Sequence, residues 1–192
     1  MRKIVASEFI TLDGVVEAPG PGDNTLPDKK GWVMPYTNDE VSGFIVSQMD
    51  ASDAMLLGRR TYQDFAAFWP QVPEDDPFGG RMNSQTKYVV SNTLDKAEWT
   101  NTTLINGDIP AELTKLKQQP GKDIAVTGSP GLVRSLLQYN LLDELILLLC
   151  PVVLGVGKRL FHEGSETKVL ELVDSKTISS GMIILTYRPA SN

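Results

Sequence analysis

Apolar residues fall in short bursts along this chain, and the bursts keep two different rhythms. The run from Lys3 to Ile10, with Ile4, Val5, Ala6, Phe9 and Ile10 apolar, reads as a first strand. Thr11-Leu12-Asp13-Gly14 follows as a turn signal, and Val15 and Val16 resume a short extended piece. From Glu17 to Lys30 the chain shifts to Pro, Gly, Asp and Asn. A loop of about fourteen residues exceeds the usual connection, so it is either functional or mobile. Trp32, Val33, Met34 and Tyr36 form an apolar patch beside it. Asn38 or Thr37 can then cap a helix reaching about Ala51, with Asp39 and Glu40 in its first turn and Val41, Phe44, Ile45 and Met49 as its buried stripe. Ala54–Leu57 reads as a short buried strand, Gly58-Arg59-Arg60-Thr61 as a turn, Tyr62–Phe68 as a helix or half-helix, and Gln71–Gly80 as another loop.

The second half repeats the alternation. Lys87–Val90 is a strand closed by Ser91-Asn92, Thr103–Ile105 a weaker strand, and Pro110–Gln119 a helix with Pro at its first position and Gly121 just past its end. Ile124, Ala125 and Val126 are strand-like. Gly128-Ser129-Pro130-Gly131 turns the chain, and Leu132, Val133, Leu136 and Leu137 then share one face of a helix. Leu145–Cys150 is an uninterrupted apolar run, as expected of a strand covered on both faces. Pro151–Gly157 is a loop or bulged continuation. Val169–Val173 and Met182–Tyr187 read as a terminal antiparallel pair joined by Lys-Thr-Ile-Ser-Ser-Gly. The order predicts an α/β fold, a mostly parallel central sheet with helices on both faces and a C-terminal antiparallel hairpin. Residues 1–192 show no internal repeat and no linker, so one domain is expected.

Composition narrows the function more than the fold. A hydrophobic content of 41% and a charged content of 22% are those of a soluble domain. Eighteen basic against 24 acidic residues give a net charge of −6, which argues against a nucleic-acid partner. No apolar run reaches the roughly 18 residues of a spanning helix, and the N-terminus does not read as a signal peptide. Neither a membrane nor export is expected, and the cytoplasm is the default. One cysteine, Cys150, and one histidine, His162, leave no disulfide, no cysteine or histidine metal cluster and no histidine relay. Cys150 reads as a small buried hydrophobe and His162 as a surface residue.

Three segments share one form, a strand followed at once by small or cationic polar residues: Gly58-Arg59-Arg60-Thr61, Ser91-Asn92 and Gly128-Ser129-Pro130-Gly131. In an open parallel sheet such strand ends lie along one edge, where ligands bind. Two arginines, several hydroxyls and a glycine-rich helix start suit a ligand with several phosphates. No G-x-G-x-x-G fingerprint and no P-loop is present.

These residues resemble the dihydrofolate reductase-like superfamily, in particular the branch of the reductase domain of the bifunctional riboflavin-biosynthesis deaminase-reductase and its single-domain bacterial relatives. The segments that carry the likeness are FITLDGVVE (Phe9–Glu17), DAMLLGRRTYQDFAAFWP (Asp53–Pro70), KYVVSNTL (Lys87–Leu94), PGKDIAVTGSPGLVRSLL (Pro120–Leu137) and LLDELILLLCPVVLGVGKRLF (Leu141–Phe161). Five segments in order span nearly the whole chain.

The resemblance implies NADPH-dependent reduction of a small pyrimidine- or pteridine-like heterocycle. It assigns Gly58, Arg59, Arg60 and Thr61 to the 2′-phosphate and pyrophosphate side of the cofactor. Ser91 and Asn92 go to the adenosine end, and Thr127, Gly128, Ser129 and Gly131 to the pyrophosphate. Ile10, Thr11, Asp13 and Gly14 fall where nicotinamide and substrate meet, with the Glu17–Lys30 loop as a lid. A proton donor is required if a C=N or C=O bond is reduced, and Asp13, Glu17, Asp39 or water could serve, Asp13 being the catalytic candidate. For Asp13 a plain turn role competes, since Asp-Gly is a common turn pair. The resemblance also implies a homodimer paired through the late strands. A non-catalytic NADP(H)-binding module is the alternative to an enzyme.

Overall fold

The computed structural model describes residues 1–73, 75–164 and 166–190. Eight strands form one sheet: β1 (Ile4–Thr11), β2 (Ser52–Gly58), β3 (Thr86–Val90), β4 (Thr102–Ile105), β5 (Asp123–Thr127), β6 (Glu144–Cys150), β7 (Leu170–Thr177) and β8 (Ile183–Pro189). Their spatial order is β4-β3-β2-β5-β1-β6-β8-β7. The first six run parallel, and β8 joins β6 antiparallel, with Leu147 opposite Leu185. Central β1 pairs Ile4 with Ile124 of β5 and Val5 with Glu144 of β6.

Helices α1 (Asp39–Ala51), α2 (Arg59–Phe68), α3 (Pro77–Ser84), α4 (Ile109–Gln118) and α5 (Pro130–Gln138) cover the two faces. Strand alternation sends Ile4, Ala6 and Ile10 to the face under α4 and α5, where they pack with Leu113, Val133 and Leu136. Val5 points to the opposite face, with Val41 of α1, Trp32 and Ile146. Met55 and Leu57 of β2 extend that second layer against Tyr62 of α2 and Met82 of α3. The expected three-layer α/β architecture with a terminal antiparallel pair is what forms. No helix among the described residues is long and apolar enough to cross a membrane.

The sequence reading differs from the structure at three places. Arg59, Arg60 and Thr61 are the first turn of α2 rather than a turn before it, because Gly58 alone, in extended conformation, serves as the N-cap. Part of the expected Gln71–Gly80 loop is a helix. The Asp76 carboxylate accepts hydrogen bonds from Phe78 N–H and Gly79 N–H, and Pro77 fits the first turn; Glu74 lies outside the described residues. Strand β7 runs on to Thr177, so the reversal is Ile178–Met182, closed by Ile178 N–H to Met182 O at 2.8 Å. β7 is the sheet's outer edge, and Leu172 and Val173 are exposed there.

Candidate functional site

Because six strands run parallel, Thr11, Gly58, Val90, Ile105, Thr127 and Cys150 end along one rim. Two of these ends are stitched together. Gly58 N–H donates to Ser129 Oγ at 3.1 Å, and Thr61 Oγ1 donates to Gly128 O at 2.6 Å. Gly128 holds φ +65°, a left-handed conformation that side chains rarely adopt. The bonds bring the first turns of α2 and α5 side by side.

Those two helix starts differ from the other three. α1, α3 and α4 are capped by the side chains of Asn38, Asp76 and Asp108. α2 and α5 have no side-chain cap and no acidic residue in the first turn. Each uncapped start leaves N–H groups and a partial positive charge open. Two such starts converging on glycines and hydroxyls make a place chemically suited to an anion. Arg59 and Arg60 project from the first turn of α2 into solvent.

Beside the junction lies a cavity of about 230 Å³, mostly apolar, whose lining includes Gly58, Val90, Leu113, Gly131, Leu136 and Tyr139. Its apolar lining suits a ring rather than a charged group. Ser91 ends β3 near it, buried, its Oγ accepting from Thr93 N–H at 3.1 Å and Leu94 N–H at 3.0 Å. Asn92 Oδ1 accepts from Gly107 N–H at 2.8 Å, tying the loops after β3 and β4. Both side chains are therefore spent on holding the turns that follow β3 and β4. Thr127 is exposed at the tip of β5.

At the end of β1, Ile10 is part of the core, and Thr11 Oγ1 both accepts from Val15 N–H at 2.9 Å and donates to Asp13 Oδ1 at 2.7 Å. Asp13 also accepts from Leu154 N–H at 3.1 Å and Gly155 N–H at 2.8 Å, while Arg159 Nε donates to Asp13 O. The Thr11 hydrogen bond first, and then Gly155 and Leu154, hold its carboxyl down at about 2. Asp13 thus anchors the 151–159 loop, the turn role that competes with the catalytic one. Gly14 takes φ +82° with the Arg159 side chain against it. Burial works to raise Glu17, but its ion pair and hydrogen bonds with Lys158 leave it below the ordinary glutamate value. Asp39 sits exposed in the first turn of α1. Trp32 Nε1 donates to Glu17 O at 2.8 Å and fastens the start of the 17–31 loop. That loop reaches α2: burial, then the Asp23 carboxylate, pushes Asp64 upward.

Of four buried charged residues that escaped the sequence reading, Arg2 and Lys117 are ion-paired with Asp53 and Asp143, and Glu8 and Lys87 are not. Glu8 is 3% exposed, and its Oε1 accepts from Ser129 N–H at 3.0 Å. Burial pushes its carboxyl up to about 8, with the Ser129 bond opposing. Its position on the Ile4-Ala6-Glu8-Ile10 face is a signal visible in the sequence: one acid on the buried side of an alternating strand. Lys87 is 0% exposed; its Nζ donates to Asn83 O, Gln85 O and Thr100 O and lies 4.3 Å from the Trp99 ring centroid. Those bonds give it a structural task between α3, β3 and the start of β4. Cys150 is buried, its thiol pushed up to about 12, and His162 is exposed.

The model of the RibD C-terminal domain family matches residues 2–184. Uncharacterized protein YyaP of Bacillus subtilis (strain 168) is 31% identical over 189 residues, covering 97% of this chain and 94% of that protein. Among solved structures, a Shewanella sp. PV-4 protein assigned to riboflavin biosynthesis superposes with a TM-score of 0.76 at 20% identity, covering 98% of this chain and 99% of that one. The diaminohydroxyphosphoribosylaminopyrimidine deaminase/5-amino-6-(5-phosphoribosylamino)uracil reductase of Thermotoga maritima gives 0.66 at 14% identity, over 98% of this chain and 57% of that one. Dihydrofolate reductase of Enterococcus faecalis, complexed with NADP(H), gives 0.56 at 15%, over 98% and 97%. These structural likenesses carry the fold, and with the match across residues 2–184 this chain belongs to the RibD C-terminal domain family.

Proposed function

We propose that this protein is an NADPH-dependent reductase of a small pyrimidine- or pteridine-like heterocycle. The observation that carries the reading is the junction of two uncapped helix starts, α2 and α5, closed by the Gly58–Ser129 and Thr61–Gly128 bonds. Membership of a family that includes a uracil reductase domain, and likeness to a dihydrofolate reductase complexed with NADP(H), support it.

In this reading Gly58, Thr61, Gly128, Ser129 and Gly131 take the pyrophosphate, and Thr127 borders it. Arg59 and Arg60 read the 2′-phosphate, where paired N–H donors suit a phosphate monoester. Ser91 and Asn92 hold the wall of the adenosine cavity. Ile10, Thr11 and Gly14 border the nicotinamide and substrate, and the 17–31 loop covers them. The cofactor supplies the hydride, and the chain supplies orientation and electrostatics. With Asp13 and Glu17 both committed to the 151–159 loop, the proton comes from water. The same commitment of both acids favours the second reading, an NADP(H)-binding module without turnover. A cytoplasmic homodimer, paired through the exposed edge at β7, completes the proposal.

The test is a fluorescence titration with NADPH and NADH on the wild type and on the Arg59→Ala, Arg60→Ala double variant. Charge-assisted hydrogen bonds are worth about 1.5–3 kcal/mol, so NADPH binding weakens roughly ten- to a hundredfold while NADH changes little. Equal loss for both cofactors, or none, removes the arginines from 2′-phosphate recognition. NADPH oxidation against a panel of pyrimidines and pteridines separates enzyme from binding module.

A further inference from the structure

Glu8 is a buried acid that the proposed reaction does not use, and it lies directly beneath the phosphate cradle. Its carboxyl is 3% exposed, and its hydrogen bond comes from Ser129 N–H, the residue that opens α5 and whose Oγ receives Gly58 N–H. The face it shares is apolar: Ala6, Ile10, Val126, Leu145 and Leu147 surround its register position.

The charged groups on the elements packed around it are engaged elsewhere. On α5, Arg134 donates to Leu160 O at 2.9 Å, and on α4, Lys115 pairs with Glu112 and Lys117 with Asp143. After β6, Lys158 pairs with Glu17 and Arg159 with Asp13. Glu144 of β6 and Asp123 of β5 stand at the opposite strand ends, where Lys3 bonds to both. On α2, Arg59 and Arg60 lie in solvent, and Asp64 faces Asp23 and Arg60. No cation among the described residues pairs with Glu8.

We propose that Glu8 positions the phosphate turn and ties anion binding at the α2–α5 junction to its own protonation, an inference that rests on the nucleotide reading above. While neutral, the carboxyl holds the Ser129 amide and leaves the cradle to a diphosphate. Once ionised, it puts an uncompensated negative charge under the two helix starts and opposes the ligand. Coupling between the two is reciprocal, so a bound diphosphate keeps Glu8 protonated. The elevation of the carboxyl to about 8 places the change within reach of ordinary buffers.

The experiment titrates NADP⁺ and inorganic pyrophosphate into the wild type, Glu8→Gln and Glu8→Leu at pH 7 and pH 9. The phosphomonoester of NADP⁺ has its last pKa near 6, so its charge is constant across this range. We expect NADP⁺ affinity of the wild type to fall about tenfold from pH 7 to pH 9, with a parallel change for pyrophosphate read against its own ionisation in Glu8→Gln. Both variants should show a flat NADP⁺ profile, which a merely structural role of Glu8 would not produce. A flat wild-type profile, or the same slope in a folded variant, overturns the proposal and leaves the nucleotide reading standing. No binding of NADP⁺ at either pH overturns both.

Discussion

Gly58 and Gly131 separate what the fold needs from what the ligand needs. Gly58 is in ordinary extended conformation, with φ −76° and ψ 157°. A methyl group there would meet Ser129 Oγ at 3.7 Å and Leu132 Cβ at 3.9 Å, both normal contacts. Gly131, in the first turn of α5, would place its methyl 3.8 Å from Arg134 Nη2. Neither site strains an alanine, and Gly→Ala at a compatible position stabilises by about 0.4–1 kcal/mol through the unfolded chain. Both glycines nevertheless line the cavity of about 230 Å³, so each methyl adds bulk at its wall. Steric intrusion into a packed site costs roughly 1–3 kcal/mol, or about 5- to 150-fold in Kd. Calorimetric melting and NADPH titration of Gly58→Ala, Gly131→Ala and the double variant read both effects. The expected result is a Tm raised by a few degrees together with weakened binding. Higher stability with unchanged NADPH affinity would refute the placement of the nucleotide in this cavity.

Three further outcomes follow from buried or anchored charges. Lys87→Met orphans Asn83 O, Gln85 O and Thr100 O; the loss is about 3 kcal/mol, a Tm drop of roughly 6–12 °C for a chain of this size, read by thermal melting. Glu8, raised from 4.5 to about 8, favours the folded state when protonated. Its contribution is complete below pH 4.5 and is lost as pH rises to about 8, by about 5 kcal/mol at 1.36 kcal/mol per pH unit; urea unfolding should show Glu8→Gln gaining on the wild type across that window. Asp13, lowered to about 2, contributes stability above pH 3.8 that disappears as pH falls toward 2. Asp13→Asn weakens the bonds to Leu154 and Gly155, so hydrogen exchange at those amides should accelerate while the amides of β5 stay protected.

Much of this molecule was legible because its strands and helices obey simple periodicities. The apolar run at Leu145–Cys150 and the capped stripe from Asn38 to Ala51 became β6 and α1 within a residue or two. The rim followed from topology, since parallel strands put their carboxyl ends together and the three polar segments each sit at such an end. What stayed hidden depends on distance in the chain. Nothing local marks Ser129 as the partner of both Gly58 and Glu8, which lie 71 and 121 positions away. Nothing local in Thr11-Leu12-Asp13-Gly14 shows that the 151–159 loop returns to bond the Asp13 oxygens. Lys87 read as the polar opening of a strand, and only the carbonyls converging from α3 and the start of β4 explain how an ammonium is tolerated there. α3 was missed because Asp76-Pro77 opens a helix of eight residues, too short for its periodicity to show.

The position of β1 has a consequence for biosynthesis. It leaves the ribosome well before its two neighbours, since Ile4 pairs with Ile124 and Val5 with Glu144. At about 5–20 residues per second, β1 waits on the order of ten seconds with both its edges bare. Sheet closure is therefore reserved until β5 and β6 have been made, and an arrested chain ending before β5 would display an unpaired, largely apolar strand to chaperones and to its own neighbours.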